Sequence, residues 1–254
     1  MKGRALTMVL LSVPLVGLCD EAAAPPQDEW TGKGQAGYTS SQGNSEGKSA
    51  NAALDTAYVD GSWKHAFHLG GLYGESAGIV SAERWDTNWQ TNYELTKDLY
   101  TFGGLRYQHD MFSGFQYQES LTGGIGYKVF DTDTTKLDVQ IGAGYKKLRP
   151  EDLIKNPDTG AVTQRIPLAA ESGAIGTLGV NYSQALTGTT TVTDKLLVES
   201  GSMDTLVTNA LALAVKISTK LALSVGYTLT DNSQPPAGLK RIDALETVNL
   251  VYAF

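Results

Sequence analysis

The sequence predicts an all-β protein, an antiparallel transmembrane β-barrel of about 12 strands, and three observations lead to this prediction. Charged residues are only 19 % of the 254, and the chain contains 28 glycines and 12 tyrosines. This composition favours strands over a helical bundle. Apolar and polar residues alternate in several segments of about ten residues. Tight turns and longer loops connect these segments in turn, as in outer-membrane barrels.

The composition also excludes several classes of protein. The chain has 20 Lys+Arg against 27 Asp+Glu, which gives a formal net charge of −7. A general nucleic-acid binder would show a basic face, so we expect no nucleic-acid partner. Past the first twenty residues, no apolar run approaches the ~18 residues that a membrane-spanning helix needs. An α-helical membrane protein is therefore excluded, whereas a barrel with alternating strands is not.

The first residues predict an export signal. Lys2 and Arg4 form a short basic region, and residues 5–18 form an apolar stretch of signal-peptide length. Cleavage between residues 19 and 24 fits the small residues found there. Lipidation of Cys19 is a minor alternative.

The predicted domain organisation follows from this signal. Residues 1–24 are the signal peptide, 25–29 a short linker and 30–254 the barrel. Cys19 is the only cysteine, so cleavage leaves a mature chain without a disulfide, a thiolate metal site or a cysteine nucleophile.

Residues 84–95, RWDTNWQTNYEL, show the clearest alternation, with Trp85, Trp89 and Tyr93 on one face. The even number of strands places both chain ends on the periplasmic side, where the turns are short. The segment 190–199 is the least regular, because Asp194 interrupts its apolar face. The predicted strands begin near Trp30, Ser49, Trp63, Arg84, Leu99, Glu119, Lys136, Glu171, Thr190, Thr205, Lys220 and Ile242.

A soluble β-sandwich or lipocalin-like barrel is the main alternative, and its apolar faces would form an internal core. Large aromatic residues near strand ends argue for the membrane instead, because outer-membrane barrels carry aromatic girdles at both interfaces. These residues are Trp63, Tyr73, Trp85, Tyr252 and Phe254. We therefore expect contacts with outer-membrane lipid and lipopolysaccharide.

The C-terminal residues resemble an assembly signal. The chain ends on Phe254, and Val248, Leu250 and Tyr252 precede it at alternate positions. This is the form of the signal that the bacterial barrel-assembly machinery reads, so we expect that machinery to be a partner during biogenesis and the barrel to reach the outer membrane.

Function is expected on the inward faces of the strands. These carry both signs of charge, and a buried charge is costly unless it is paired or hydrated. The charges therefore line a narrow water-filled channel or form a salt-bridged plug. We expect pairing across adjacent strands, with Arg84, Asp86 and Glu94 facing Arg106. The predicted lumen residues are Lys64, Arg84, Asp86, Asn88, Asn92, Glu94, Arg106, Lys128, Asp138, Gln140, Lys146, Lys216 and Arg241.

The histidines give little support to an enzyme. His109 stands beside Asp110 and near Ser113, but adjacent residues of an extended strand point to opposite faces, so local spacing does not build a triad. His65 and His68 point to opposite faces for the same reason and do not share a metal. We expect no catalytic residues, no metal and no cofactor.

Glycines and one long loop complete the pattern. Gly123, Gly124 and Gly126 predict curvature and close packing beside aromatic neighbours such as Tyr127 and Tyr145, because no helix follows them as a phosphate loop requires. The segment 147–168 is the longest connection. It is expected either to lie on the surface or to fold inward as a constriction.

Short segments along the whole mature chain resemble one known family. They include WTGKG at 30–34, GYTSSQGNS at 37–45, YQHDMFSGF at 107–115 and VNLVYAF at 248–254. GGIGYK at 123–128 and GAGYK at 142–146 extend the similarity. The chain thus resembles the YdiY-type family, described as salt-induced outer-membrane proteins of unknown function. The resemblance implies an outer-membrane barrel and supplies neither a substrate nor catalytic residues.

Three functional hypotheses follow from the sequence. The first is a narrow passive channel for small polar or ionic solutes, linked to salt or envelope stress. The second is a closed structural barrel of the envelope that does not transport. The third and most distant is a lipid-modifying enzyme of the outer membrane.

Overall fold

The computed structural model describes residues 29–41 and 46–254. The predicted signal peptide, its cleavage sites and nearly all of the linker lie outside the described residues. Within this part, no helix is long and apolar enough to cross a membrane. The strands are β1 Glu29–Ser41, β2 Gly47–Asp60, β3 Trp63–Ser76, β4 Ile79–Glu94, β5 Leu99–Asp110, β6 Phe115–Asp131, β7 Thr135–Lys155, β8 Val162–Pro167, β9 Glu171–Ala185, β10 Thr190–Gly201, β11 Thr205–Lys216, β12 Leu221–Asn232 and β13 Ile242–Ala253.

The strands form one closed antiparallel barrel. Each strand pairs with its neighbours in chain order, except that β8 pairs with β7 alone and β7 pairs directly with β9. The last strand closes the ring on the first, with Ala36 opposite Leu250 and Lys33 opposite Ala253. Twelve of the 13 strands in the described chain therefore form the barrel wall. The prediction of an all-β antiparallel barrel of about 12 strands is confirmed.

The apolar side chains lie on the outside of the wall. Leu121 on β6 is 59 % exposed and Val248 on β13 is 61 % exposed, and Trp85 and Trp89 on β4 are exposed as well. A soluble barrel would bury such residues in its interior. This wall instead presents them outward, as a bilayer-spanning barrel does.

Aromatic side chains cluster at the two ends of the wall. At the end where β3 begins and β4 finishes, Trp63 and Tyr93 pack with ring centroids 4.8 Å apart. Near the opposite end, the Trp85 and Tyr107 rings stack at 4.9 Å, and the Tyr107 and Tyr117 rings at 6.3 Å. Two separated aromatic clusters are the arrangement expected of interfacial girdles.

Glycine makes room for aromatic rings inside the barrel. Gly126 on β6 lies opposite Tyr100 of β5, and a Cβ at position 126 would overlap the Tyr100 ring. The prediction that Tyr127 and Tyr145 pack over bare backbone is wrong, because both rings lie exposed on the outer face. The aromatic ring that packs against Gly126 comes from the neighbouring strand β5, and not from the next residue in the chain.

The segment 147–168 is a hairpin rather than a loop. Strand β7 continues past the barrel wall, and β8 pairs back onto its end. The Arg165 guanidinium of β8 donates to the Met111 carbonyl and, at 3.1 Å, to the Glu151 carboxylate. The Glu151 amide donates to the Gly114 carbonyl at 2.8 Å. The hairpin thus holds the β5–β6 turn at this mouth of the barrel.

A charged lumen as the candidate functional site

Alternation places most of the predicted lumen residues on the inner wall. The strands that carry them keep a continuous register over these positions, so residues adjacent to an outward apolar side chain point inward. This set comprises Lys64, Arg84, Asp86, Asn88, Asn92, Glu94, Arg106, Lys128, Asp138, Gln140, Lys146 and Lys216.

Arg241 lies elsewhere. It precedes β13, where strand alternation does not set its direction, and its exposed guanidinium pairs with the Asp231 carboxylate at 2.5 Å and 3.0 Å. The Asp231 carboxylate raises the pKa of the Arg241 guanidinium. Arg241 therefore belongs to the rim of the barrel and not to its inner wall.

The Arg106 guanidinium of β5 forms a salt bridge with the Glu199 carboxylate of β10. Strands β6, β7 and β9 separate these two strands around the wall, so the bridge crosses the interior. The Ser120 hydroxyl donates to the second Glu199 oxygen at 3.1 Å, and Glu199 is only 2 % exposed. The prediction that Arg106 pairs with β4 is wrong, because ring closure brings a distant strand closer to its guanidinium.

The salt bridge separates a small sector from the rest of the lumen. Behind it, toward β6, β7 and β9, lies a cavity of about 70 Å³ whose lining includes Thr122, Gln140, Thr177 and Gly179. The residues of these three strands that line the cavity are small or uncharged. The sector is therefore almost filled, and it leaves little room for a solute to pass.

A second buried pair fixes the turn between β10 and β11. The Lys146 ammonium of β7 is fully buried and donates to both Asp204 carboxylate oxygens, at 2.7 Å and 2.9 Å. Asp204 lies in the turn itself. A fully buried lysine requires such a partner, so this pair ties the turn to the barrel wall.

A row of alternating charges follows β1 to β4. The Lys33 ammonium lies 3.6 Å from the Asp55 carboxylate, and Asp55 lies 2.7 Å from His68 Nδ1. His68 Nε2 lies 3.2 Å from Asp86, which Arg84 contacts at 3.4 Å. Because a carboxylate oxygen faces each ring nitrogen, the arrangement favours an imidazolium that donates two hydrogen bonds.

Further pairs lie nearer the end of the barrel where β1 begins and β13 ends. The Lys128 ammonium donates to the Glu94 carboxylate at 2.5 Å. The Tyr100 hydroxyl donates to Asp138 at 2.6 Å and accepts from the Gln140 amide at 2.8 Å. These contacts also crowd the side of the lumen formed by β4 to β7.

The opposite side of the lumen is less filled. Lys33 on β1 keeps a 50 % exposed side chain, and Lys195 on β10 is exposed although it faces inward. Ala210, Ala212 and Ala214 occupy successive inner positions in the middle of β11, and their small side chains leave space beside them. This side of the lumen thus carries small side chains and two exposed lysines.

One mouth is narrowed by a contact across its diameter. The β5–β6 turn and the β12–β13 connection lie on opposite sides of the ring. At their contact, a Cβ on Gly114 would lie 2.6 Å from Leu239 and 2.9 Å from Pro236. The positive φ of Gly114, 72°, also favours glycine there. These two connections together cover part of the mouth.

The candidate triad is not assembled. His109 faces outward beside Trp85 and bonds through Nδ1 to the Gln116 carbonyl. The Asp110 carboxylate instead accepts from the Phe112 amide at 2.8 Å, and the Ser113 hydroxyl donates to the Asp110 carbonyl. Within the described residues, no group of three or more His, Cys, Asp or Glu side chains is arranged to hold a metal ion.

The family "Protein of unknown function, DUF481" matches residues 34–254 of the chain. The chain belongs to the DUF481 family. It is 26 % identical to the uncharacterized protein YdiY of Escherichia coli K12 over 236 residues. This alignment covers 91 % of this chain and 85 % of that protein. The family resemblance predicted from short segments is thereby confirmed for this DUF481 protein.

Three solved structures with a similar fold are distant in sequence. The COG4313 outer membrane channel from Pseudomonas putida F1 is 11 % identical, with a TM-score of 0.49 over 94 % of this chain and 100 % of that one. The NanC porin is 10 % identical, with a TM-score of 0.47, and the match covers 87 % of this chain and 98 % of that one. The translocator domain of the Neisseria meningitidis autotransporter NalP is 15 % identical, with a TM-score of 0.45, and the match covers 92 % of this chain and 90 % of that one. Similarity at this level concerns the barrel fold alone.

Proposed function

We propose that this DUF481 protein is an outer-membrane barrel that acts as a narrow passive channel for small polar or ionic solutes. The observation that carries the proposal is the Arg106–Glu199 bridge together with the accessible wall beside it. The bridge fills one sector of the lumen, and the accessible Lys33 and Lys195 mark a passage through the other. An intermediate barrel with a partly filled interior fits this role.

The outer surface supports a location in a bilayer. Exposed aliphatic side chains cover the wall between the two aromatic clusters, and β13 pairs with β1 at Lys33 to Ala36, which closes the sheet into a ring. A bilayer requires that every backbone group of a spanning sheet be paired. The tight turns at the end where β1 begins and β13 ends favour that end as the periplasmic one. Lipid and lipopolysaccharide would surround the wall, and Phe254 would serve assembly.

The charges inside favour small solutes and weak selectivity. Cations and anions alternate along the Lys33 to Arg84 row, so this part of the described lumen does not form a ring of a single sign. Strong ion selectivity usually needs such a ring. No residue in the lumen is assigned a catalytic role.

A closed structural barrel is the second candidate, and the mouth contact favours it. Gly114 meets Pro236 and Leu239 across the opening, and the β7–β8 hairpin holds the Gly114 turn in place. A permanently covered mouth would stop transport, and the barrel would then contribute only to the envelope.

Liposome swelling separates the two candidates. Purified barrel is reconstituted in vesicles that contain an impermeant polymer, and swelling is recorded with neutral solutes of increasing size. The channel predicts swelling with the smallest solutes and none with a disaccharide. Swelling with no solute would favour the closed barrel. Recovery of the native protein in the soluble periplasmic fraction would contradict both.

A further inference from the structure

Two inward lysines from different parts of the wall approach each other inside the lumen. Lys33 is the fifth residue of β1 and Lys195 the sixth of β10, and both strands begin at the end of the barrel where β13 ends. Because the strands of a barrel share one tilt, the two residues lie at nearly the same level. Lys195 is close enough to interact electrostatically with Lys33 and with Asp55 of β2.

Neither ammonium group has a full set of hydrogen-bond acceptors. Within the described residues, Lys195 has no hydrogen-bond or ion-pair partner. The Lys33 ammonium lies 3.6 Å from one Asp55 oxygen, which is too far for a hydrogen bond. The other Asp55 oxygen already faces His68 Nδ1 at 2.7 Å. A single carboxylate is therefore shared by Lys33, His68 and the more distant Lys195.

The wall between the two lysines provides space and no compensating charge at their level. Strands β11, β12 and β13 lie between β10 and β1 around the ring. Their inner residues at this level are Ala212, Gly226 and Asn249, each the fifth or sixth residue of its strand from the same end. All three are uncharged, and the first two are small. On the filled side of the lumen, the Asp138 carboxylate already accepts from the Tyr100 hydroxyl at 2.6 Å.

We propose that Lys33 and Lys195 bind a small oxyanion solute, a carboxylate or inorganic phosphate, inside the lumen. The inference rests on the proposed function and names a class of solute that the passage would hold. Two neighbouring ammonium groups repel each other, and an oxyanion between them offsets the repulsion and supplies acceptors to both. Asp55 lowers the local positive charge, so the anion is held weakly enough to leave again, as passage requires. Because the other charges of the lumen are mixed, the site gives a preference for anions rather than strict selectivity.

Isothermal titration calorimetry of the purified, folded barrel in detergent tests this site without requiring conduction. Succinate and inorganic phosphate are titrated separately, and succinamide serves as the uncharged analogue of succinate. We expect binding of at least one of the two oxyanions and none of succinamide. Lys195→Gln should weaken the binding about tenfold or more, because a hydrogen bond to a charged group is lost. Lys216→Gln is the matched control: it removes an inward lysine at the far end of β11, with the same change in charge, and should leave the affinity nearly unchanged.

The outcomes separate this site from the channel itself. Folded wild-type barrel that binds neither oxyanion would overturn the site, as would full binding by Lys195→Gln. Equal losses in Lys195→Gln and Lys216→Gln would also overturn it, because they would indicate a general charge field. Lys33→Gln is the second variant and is read in the same way if Lys195→Gln does not fold.

Conduction is recorded separately in a planar bilayer, so the two proposals can fail independently. Oxyanion binding to a barrel that never conducts would support the site and contradict the channel. Conduction by a barrel that binds neither oxyanion would contradict the site alone.

Discussion

The Arg106 guanidinium and the Glu199 carboxylate meet inside the barrel although three strands separate β5 from β10 along the wall. The bridge divides the lumen into a nearly filled sector and an accessible one. It also joins distant parts of the ring, so we expect it to stabilise the barrel and, in the proposed channel, to set the width of the passage.

Loss of one partner of this bridge should be strongly destabilising. Arg106→Leu leaves Glu199, which is 2 % exposed, with Ser120 as its remaining donor. Removing one member of a buried ion pair costs about 3–5 kcal/mol. The double variant Arg106→Leu/Glu199→Leu should cost less, because it leaves no unpaired charge. Urea unfolding in lipid vesicles, followed by tryptophan fluorescence, measures both. Equal stability of Arg106→Leu and wild type would refute the energetic role of the bridge.

The two faces of β2 should respond differently to a new charge. Leu54→Arg puts a cation on the outer face, whereas Ala53→Arg puts it in the lumen near Gly70 and Gln35. Arginine on the lipid face costs roughly 2–4 kcal/mol near the midplane. We expect Leu54→Arg to lower the amount of folded barrel in outer membranes and Ala53→Arg to lower it less. Equal levels would mean that the outer face does not contact lipid.

The glycines beneath the inner aromatics should not tolerate a side chain. In Gly126→Ala, the new methyl group would overlap the Tyr100 ring. In Gly123→Ala, the atom nearest to the new methyl group is the Phe102 carbonyl oxygen, at 3.4 Å. Overpacking of this kind costs typically 1–3 kcal/mol, so we expect about that loss for Gly126→Ala and little for Gly123→Ala. The free energy of unfolding in vesicles provides the comparison, and a neutral Gly126→Ala would show that Tyr100 moves aside freely.

The C-terminal residues should be required for closure. Phe254 exchanges two backbone hydrogen bonds with Gly32, each of 2.9 Å. Deletion of residues 251–254 removes these bonds and most of the β1–β13 pairing. An open edge in lipid leaves backbone groups unpaired, so the truncated chain should accumulate in the periplasm and be degraded. Fractionation with immunoblotting tests this, and normal outer-membrane levels would contradict it.

Alternation along single strands was enough to predict the wall but not the pairs within it. Residues 84–95 alternate so regularly that their inward faces could be assigned directly. Glu199 was missed because its partner depends on ring closure, which local spacing does not reveal. Asp55 was missed because small residues around it on β2 weaken the apolar face. His68 was identified as opposite to His65, but its position between two carboxylates depends on the β2–β3 and β3–β4 registers.

The hairpin and the rim were predicted less well for a related reason. The segment 147–168 suggested a loop, yet Pro150 and Pro167 lie in paired strands, opposite Phe115 and Glu151 respectively. Arg241 precedes a strand start, so alternation could not give its direction. The β4 strand begins at Ile79 rather than near Arg84, because an irregularity between Gly74 and Glu75 shifts its pairing with β3 and conceals the first residues.

The central claim is a narrow passage beside the Arg106–Glu199 bridge. Single-channel recording in a planar bilayer tests this claim most directly. Wild-type barrel should give small, weakly selective conductance steps, and Arg106→Leu/Glu199→Leu should give altered ones, because the bridge and the charge field beside the passage are both changed. The variant's folded state is verified by heat-modifiable migration before recording. A wild-type barrel that never conducts would contradict the proposed channel. So would a wild-type conductance as large as that of a general porin, if the double substitution leaves it unchanged.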